Sequence, residues 1–173
     1  MGYSTKISLI SAFQRSLDAV RALTAGFFLL FLMSPEASHA DWVAGVATDV
    51  DSQGAGGVIE FHGPEFGVFN GVVGRLGFAG RLDADGDGWM GLGVSGLYPL
   101  RGNLFLEASF MPGAYKVGDT NLGGALHFRS LLGVGYQLKE NLAVSVSIDH
   151  MSNGSTQSEN PGSDAITLRF RWR

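Results

Sequence analysis

The sequence predicts an all-β fold: an eight-stranded antiparallel transmembrane β-barrel of the bacterial outer membrane, spanning residues 41–173 behind a signal peptide over residues 1–40. Three observations carry that reading. The chain opens with an export leader. The remainder alternates apolar and polar residues with period two, and the connections between the alternating segments are short and long in turn.

The leader carries Lys6, Arg15 and Arg21 ahead of the uncharged run Ala25–Met33. Ser34-Pro35 breaks the run, and Ser38-His39-Ala40 places small residues at −3 and −1 of a cleavage site after Ala40. The run is too short for a membrane anchor, since a spanning helix needs about 20 apolar residues. Composition narrows the classes further. The 173 residues include 26 glycines and no cysteine, only 16% are charged, and the net charge is −4. A disulfide scaffold and most structural zinc sites need cysteine. An acidic chain makes a poor nucleic-acid binder, because phosphate contacts need a basic face. Glycine at this level disfavours helices, at about 1 kcal/mol per helical position relative to alanine.

The strands follow in order. Two are placed near residues 42–49 and 57–62. In the second, Ile59 and Phe61 put the apolar face on odd positions, so a bulge or a change of register is required before the next segment. From residue 66 onward the apolar series is even. Phe66, Val68, Val72, Leu76, Phe78 and Leu82 oppose Gly71, Arg75, Gly77, Ala79 and Arg81. Met90, Leu92, Val94, Tyr98 and Leu100 continue it, then Leu104, Leu106, Ala108 and Phe110. Residues 122–138 give Leu126, Phe128, Leu132, Val134, Tyr136 and Leu138 against His127, Arg129, Gly133 and Gly135. Leu142, Val144, Val146 and Ile148 precede a last segment with Ile166, Leu168, Phe170 and Trp172 outward and Arg169 and Arg171 on the other face.

Short turns are expected near His62–Glu65, Leu100–Asn103 and Lys139–Asn141. Longer polar loops are expected at Asp49–Gly56, Asp83–Gly88, Ala114–Asn121 and Asn153–Ser163. Short periplasmic turns opposite long extracellular loops are the outer-membrane pattern. The apolar series then faces lipid. Glycines on the inward face leave room for Arg75, Arg81, Glu107, Arg129 and Arg169 to pair in a lumen filled by side chains. The rival architecture is a soluble barrel or sandwich with the apolar face turned inward.

Three polar residues break the lipid-facing parity. His150 and Ser152 end the seventh strand and Asp164 begins the eighth, all on even positions. Residues i and i+2 share a face, and hairpin pairing brings Asp164 beside them. Asp149 has the opposite parity and points into the lumen. A serine hydroxyl needs a base to become a nucleophile, imidazole serves near neutral pH, and a carboxylate fixes its tautomer. Asn153, Asn160 or backbone amides around Gly154 are candidate oxyanion donors.

These residues also carry a resemblance. Val117–Gly123, Leu126-His127-Phe128, His150-Met151-Ser152-Asn153 and Asn160–Asp164 resemble the PagL family of lipid A 3-O-deacylases. The similarity covers about residues 115–173 well, and residues 42–111 match in strand pattern only. The resemblance implies an eight-stranded barrel with its active site on the lipid-facing side. It implies Ser152 as nucleophile, His150 as base, Asp164 as orienting acid and Asn160 in the oxyanion hole. The implied reaction releases a 3-hydroxy fatty acid from lipid A of the outer leaflet and needs no cofactor. The best-known member has glutamate where this chain has Asp164; aspartate is one methylene shorter, so His150 must lie closer to the eighth strand. Lipid A and the membrane are the expected partners, nucleic acid is not, and a homodimer is left open. The alternatives are a non-catalytic small barrel and an outer-membrane phospholipase.

Asp83-Ala84-Asp85-Gly86-Asp87-Gly88 imitates the start of an EF-hand loop, but position twelve is Val94 where glutamate is required. It reads as a polar loop.

Overall fold

The computed structural model describes residues 40–50 and 54–173. The expected leader lies outside these residues apart from Ala40, as does the tip of the first long loop. Eight strands follow one another: β1 (Asp41–Asp49), β2 (Ala55–Phe69), β3 (Val72–Asp83), β4 (Gly88–Pro99), β5 (Leu104–Lys116), β6 (Leu126–Lys139), β7 (Leu142–Ser152) and β8 (Ser163–Trp172). Each pairs antiparallel with the next, and β8 pairs with β1 from Trp42↔Trp172 to Asp49↔Ala165, so the sheet closes. Closure removes both sheet edges, which a strand array in hydrocarbon requires.

The two faces settle the choice between a membrane and a soluble barrel. Val46, Leu82, Met90, Leu132 and Ile148 are largely exposed on the outer wall, whereas Glu60, Glu107, Arg129, Asp149 and Arg169 are buried within. A soluble barrel would show the opposite. Within the lumen, Glu60 accepts from Arg129 Nη1 at 2.8 Å and from Arg169 Nη1 and Nη2 at 2.8 and 2.9 Å. His62 Nε2 lies 2.8 Å from the same carboxylate. Glu107 takes Ser145 Oγ at 2.6 Å and Arg171 Nη2 at 2.5 Å. Asp149 takes Thr167 Oγ1 at 2.5 Å and faces Arg129 Nη2 at 3.1 Å. Gly135 leaves the space occupied by the Phe105 ring, which a Cβ there would overlap.

The first hairpin corrects one expectation. The turn is not at His62–Glu65. The β2 strand runs through that stretch to Phe69 and turns at Asn70-Gly71, whose φ angles are 49° and 84°. Two successive positive φ values match the twist of a two-residue hairpin, and Asn-Gly is the dipeptide that best supplies them. Gly63-Pro64 instead lies where the β2–β3 register shifts between His62 and Glu65 and again before Gly67. Proline has no N–H to give the ladder, so a bulge is where a strand can hold it. The expected change of register is this irregularity. Ahead of it β2 turns odd positions outward while both neighbours turn even ones, as in the row Ala44↔Ile59↔Gly80.

The Glu60 carboxylate joins three strands through two arginines. Replacing Glu60 with alanine leaves both guanidinium groups buried without that partner, and unfolding in urea from lipid vesicles should show a loss of about 3–5 kcal/mol. An unchanged midpoint would show that the lumen network adds no stability.

Candidate active site

Register places the three parity-breaking residues. His150 is the direct cross-strand partner of Asp164, and Phe128 is the partner of Ser152. His150 and Asp164 both face outward, with side chains 52% and 51% exposed, and His150 Nδ1 lies 2.7 Å from Asp164 Oδ1. The shorter acid therefore reaches the ring, because direct opposition across an antiparallel pair brings the two Cβ atoms to about 5 Å. With Nδ1–H donating to the carboxylate, Nε2 is left as the acceptor, the tautomer a general base needs. Gly162 (φ 71°) lets the loop close over the ring; a Cβ there would lie 3.4 Å from His150 Cε1.

Ser152 lies on the same face two residues on, half-buried. Among the described residues its hydroxyl has no hydrogen-bond partner, so it is uncommitted. Nucleophile–base contacts commonly tighten only when substrate binds. Beside it, Phe128 stacks on Phe110 with centroids 5.9 Å apart and planes 11° from parallel, an apolar surface suited to an acyl chain. Asp149 points inward and is spent on Thr167 and Arg129, as its parity predicts.

The expected oxyanion donors separate. Asn153 is fully buried, and its Nδ2 donates to the carbonyls of Glu159 (2.6 Å), Gly123 (2.7 Å) and Leu122 (3.3 Å). Its backbone N–H donates to Asn160 Oδ1 at 2.9 Å. Asn153 thus supports the site by tying two loops together. Asn160 is exposed, and with its oxygen accepting from the Asn153 backbone its side-chain N–H groups carry no partner among the described residues. The Val117–Gly123 stretch serves the same brace. Leu122 packs with Met151, Tyr115, Trp89 and Met111 under the loops, and Tyr115 Oη donates to Thr120 O at 2.6 Å. Gly123 (φ 81°) passes so close to Glu159 O that a side chain has no room.

One outward polar residue escaped the sequence reading. Ser130 faces His150 directly across β6–β7, exposed, with its hydroxyl 3.5 Å from the His150 carbonyl. The same parity break that marks His150 marks Ser130. Phe110, Ser130, His150 and Asp164 thereby form one row across β5–β8.

The acidic stretch at 83–88 is consumed within the loops. Asp83 holds Arg81, Asp85 accepts from the Asp87 N–H and Thr120 Oγ1, and Asp87 accepts from the N–H groups of Gly118 and Thr120. Among the described residues no group of three or more His, Asp or Glu side chains is arranged to hold a metal ion.

Comparison with known proteins bears on the family and the fold. The family model described as PagL, lipid A 3-O-deacylase, matches residues 76–173. The chain is similar to the crystal structure of the outer membrane enzyme PagL, with TM-score 0.63 and 20% identity over 77% of this chain and 99% of that one. It is similar in fold to the N-terminal β-barrel domain of Pseudomonas aeruginosa OprF (TM-score 0.54, 12% identity, 77% and 95% covered). A de novo designed transmembrane β-barrel matches at TM-score 0.52 with 12% identity, covering 77% and 92%. No curated protein sequence matches the chain.

Removing the Asn153 brace with leucine should free the 117–125 and 153–162 loops while the strands stay paired. Limited proteolysis should then cut these loops several times faster, the open state rising with the lost hydrogen bonds at about 1 kcal/mol each. Cleavage at the native rate would show that the brace is dispensable.

Proposed function

The chain belongs to the PagL family of lipid A 3-O-deacylases, and from that membership we propose that it is a serine esterase removing the ester-linked acyl chain at the 3 position of lipid A. It is an outer-membrane β-barrel of the PagL type, so the substrate is a component of the leaflet around it. The observation that carries the proposal is the His150–Asp164 hydrogen bond on the lipid-facing wall beside Ser152. A pair so placed meets lipid by lateral diffusion, without any path through the filled lumen.

In the proposed reaction His150 Nε2 takes the Ser152 proton as Oγ attacks the ester carbonyl carbon. Charge moves to the carbonyl oxygen, where Asn160 and nearby backbone N–H groups supply donors. The tetrahedral intermediate collapses, and the departing 3-oxygen of the sugar takes the proton from His150. Water then attacks the acyl-enzyme, giving its proton to His150. The 3-hydroxy fatty acid leaves and Ser152 regains its hydrogen. Asp164 keeps the imidazole in the productive tautomer and stabilises the imidazolium formed in each half. The acyl chain runs along the Phe110–Phe128 stack, where apolar contact replaces contact with neighbouring lipid.

Mass spectrometry of lipid A from cells expressing the chain should show loss of one hydroxyacyl chain. Ser152→Ala should abolish the loss, and Asp164→Ala should slow it by about 10²–10⁴-fold. Unchanged lipid A from cells holding folded wild-type barrel would overturn the proposal. Release of fatty acid from glycerophospholipid instead would identify a phospholipase.

A further inference from the structure

The catalytic row occupies β5–β8. A second feature lies on the outer wall across β1–β5, in the extracellular half: a groove of about 760 Å³. Its floor is Gly57, Gly80, Gly88 and Ala114, which step diagonally from strand to strand. Its walls are Ile59, Leu82 and Met90. The register explains the shape, since Ile59↔Gly80↔Met90↔Ala114 and Gly57↔Leu82↔Gly88↔Lys116 alternate small and large along adjacent rows.

The barrel's own packing does not call for these glycines. A Cβ at Gly57 would meet nothing within 4 Å, one at Gly80 would come no closer than 3.8 Å to a neighbour, and one at Gly88 no closer than 3.7 Å. Lumen glycines differ: a Cβ at Gly93 would overlap Phe110 O and the Met111 backbone. Glycine weakens a strand, so these outward glycines cost stability and return only a hollow in the lipid-facing wall.

Lys116 closes the groove at the extracellular end, exposed and with no ion-pair partner among the described residues. The other cation at that height, Arg81, points into the lumen and is held by Asp49 and Asp83. The neighbouring loops carry Asp85, Asp87, Asp119 and Glu159. Lys116 is therefore the one outward cation that this rim offers to a phosphate among the described residues. Its methylenes can lie along the groove while the ammonium reaches headgroup level.

We propose that this groove is a second, non-hydrolytic lipid A site, with acyl chain on the glycine floor and a phosphate on Lys116. The choice of lipid A over other lipids rests on the proposed function, which places that phosphorylated glycolipid in the leaflet at this height.

The test uses the full barrel with Ser152→Ala in phosphatidylcholine nanodiscs, so that bound lipid is not consumed. Native mass spectrometry counts diphosphoryl lipid A per barrel. Filling the floor with Gly57→Leu and Gly80→Leu should remove one bound lipid A. Lys116→Gln, a surface change that leaves the fold intact, should weaken that binding event about fivefold. Lipid A stripped of phosphate should bind the parent and the Lys116→Gln variant equally. Equal diphosphoryl lipid A occupancy in the parent and Lys116→Gln forms would overturn the proposal. So would equal occupancy by phosphatidylglycerol, or a groove covered by a second copy of the chain. The groove substitutions made in the Ser152 enzyme should leave deacylation within about twofold of native, since they lie outside the catalytic row. The two proposals fail separately: intact lipid A from wild-type cells refutes the esterase, whereas unaltered lipid counts refute the groove.

Discussion

A backbone N–H or C=O left unpaired in hydrocarbon costs several kcal/mol, and this chain meets that constraint by closing β8 onto β1. Everything else depends on the closure. A closed sheet has an inside and an outside, and period two sends alternate residues to each. The charges inside are buried, so the carboxylates of Glu60, Glu107 and Asp149 are matched to Arg129, Arg169 and Arg171. Glycines fit the remaining volume, as Gly135 does for Phe105. The outside is left to apolar side chains, and a polar group there is costly unless it has work to do.

The same register that closes the barrel builds the site. His150 and Asp164 are not brought together by a loop; they are direct partners in an antiparallel ladder, and this is why an aspartate is long enough to reach the imidazole. Ser152 follows at the next outward position, where β7 ends. Rigid strands hold the histidine–acid pair. The loop brace at Asn153 and Leu122 holds the backbone that follows the serine. The ladder therefore fixes the histidine–acid pair, and loop packing fixes the backbone beside it.

Most of the fold was legible because lipid and lumen impose opposite demands on alternate residues. From β3 to β8 the outward positions stay even, and Asp149 was placed inward by parity alone. The β2 strand was harder. Pro64 and Gly63 look like a turn, and a bulge uses the same residues for the same lack of a donor. Asn70-Gly71 was the true hairpin signal, hidden within an apolar stretch. Ser130 carried the parity break that identified His150, yet serine is small and neutral and so draws less notice than histidine or aspartate. Spacing alone could not tell Asn153 from Asn160, since both are loop amides. The structure separates them: Asn153 is buried, and its backbone N–H donates to the exposed Asn160.

The sequence by itself determined the alternating strands and the face shared by His150, Ser152 and Asp164, because alternation is a local property that no distant contact can alter; the closed sheet then decided that this face is the outer one. Tertiary structure decided what depends on which strands lie side by side: the single-row alignment of Phe110, Ser130, His150 and Asp164, the sharing of Glu60 between two distant arginines, and the hollow formed by Gly57, Gly80 and Gly88. Those glycines are dozens of residues apart, or nearly adjacent across a loop, and only the stagger between neighbouring strands makes them one surface. Register sets that stagger, and register is fixed by pairing summed around the whole closed ring.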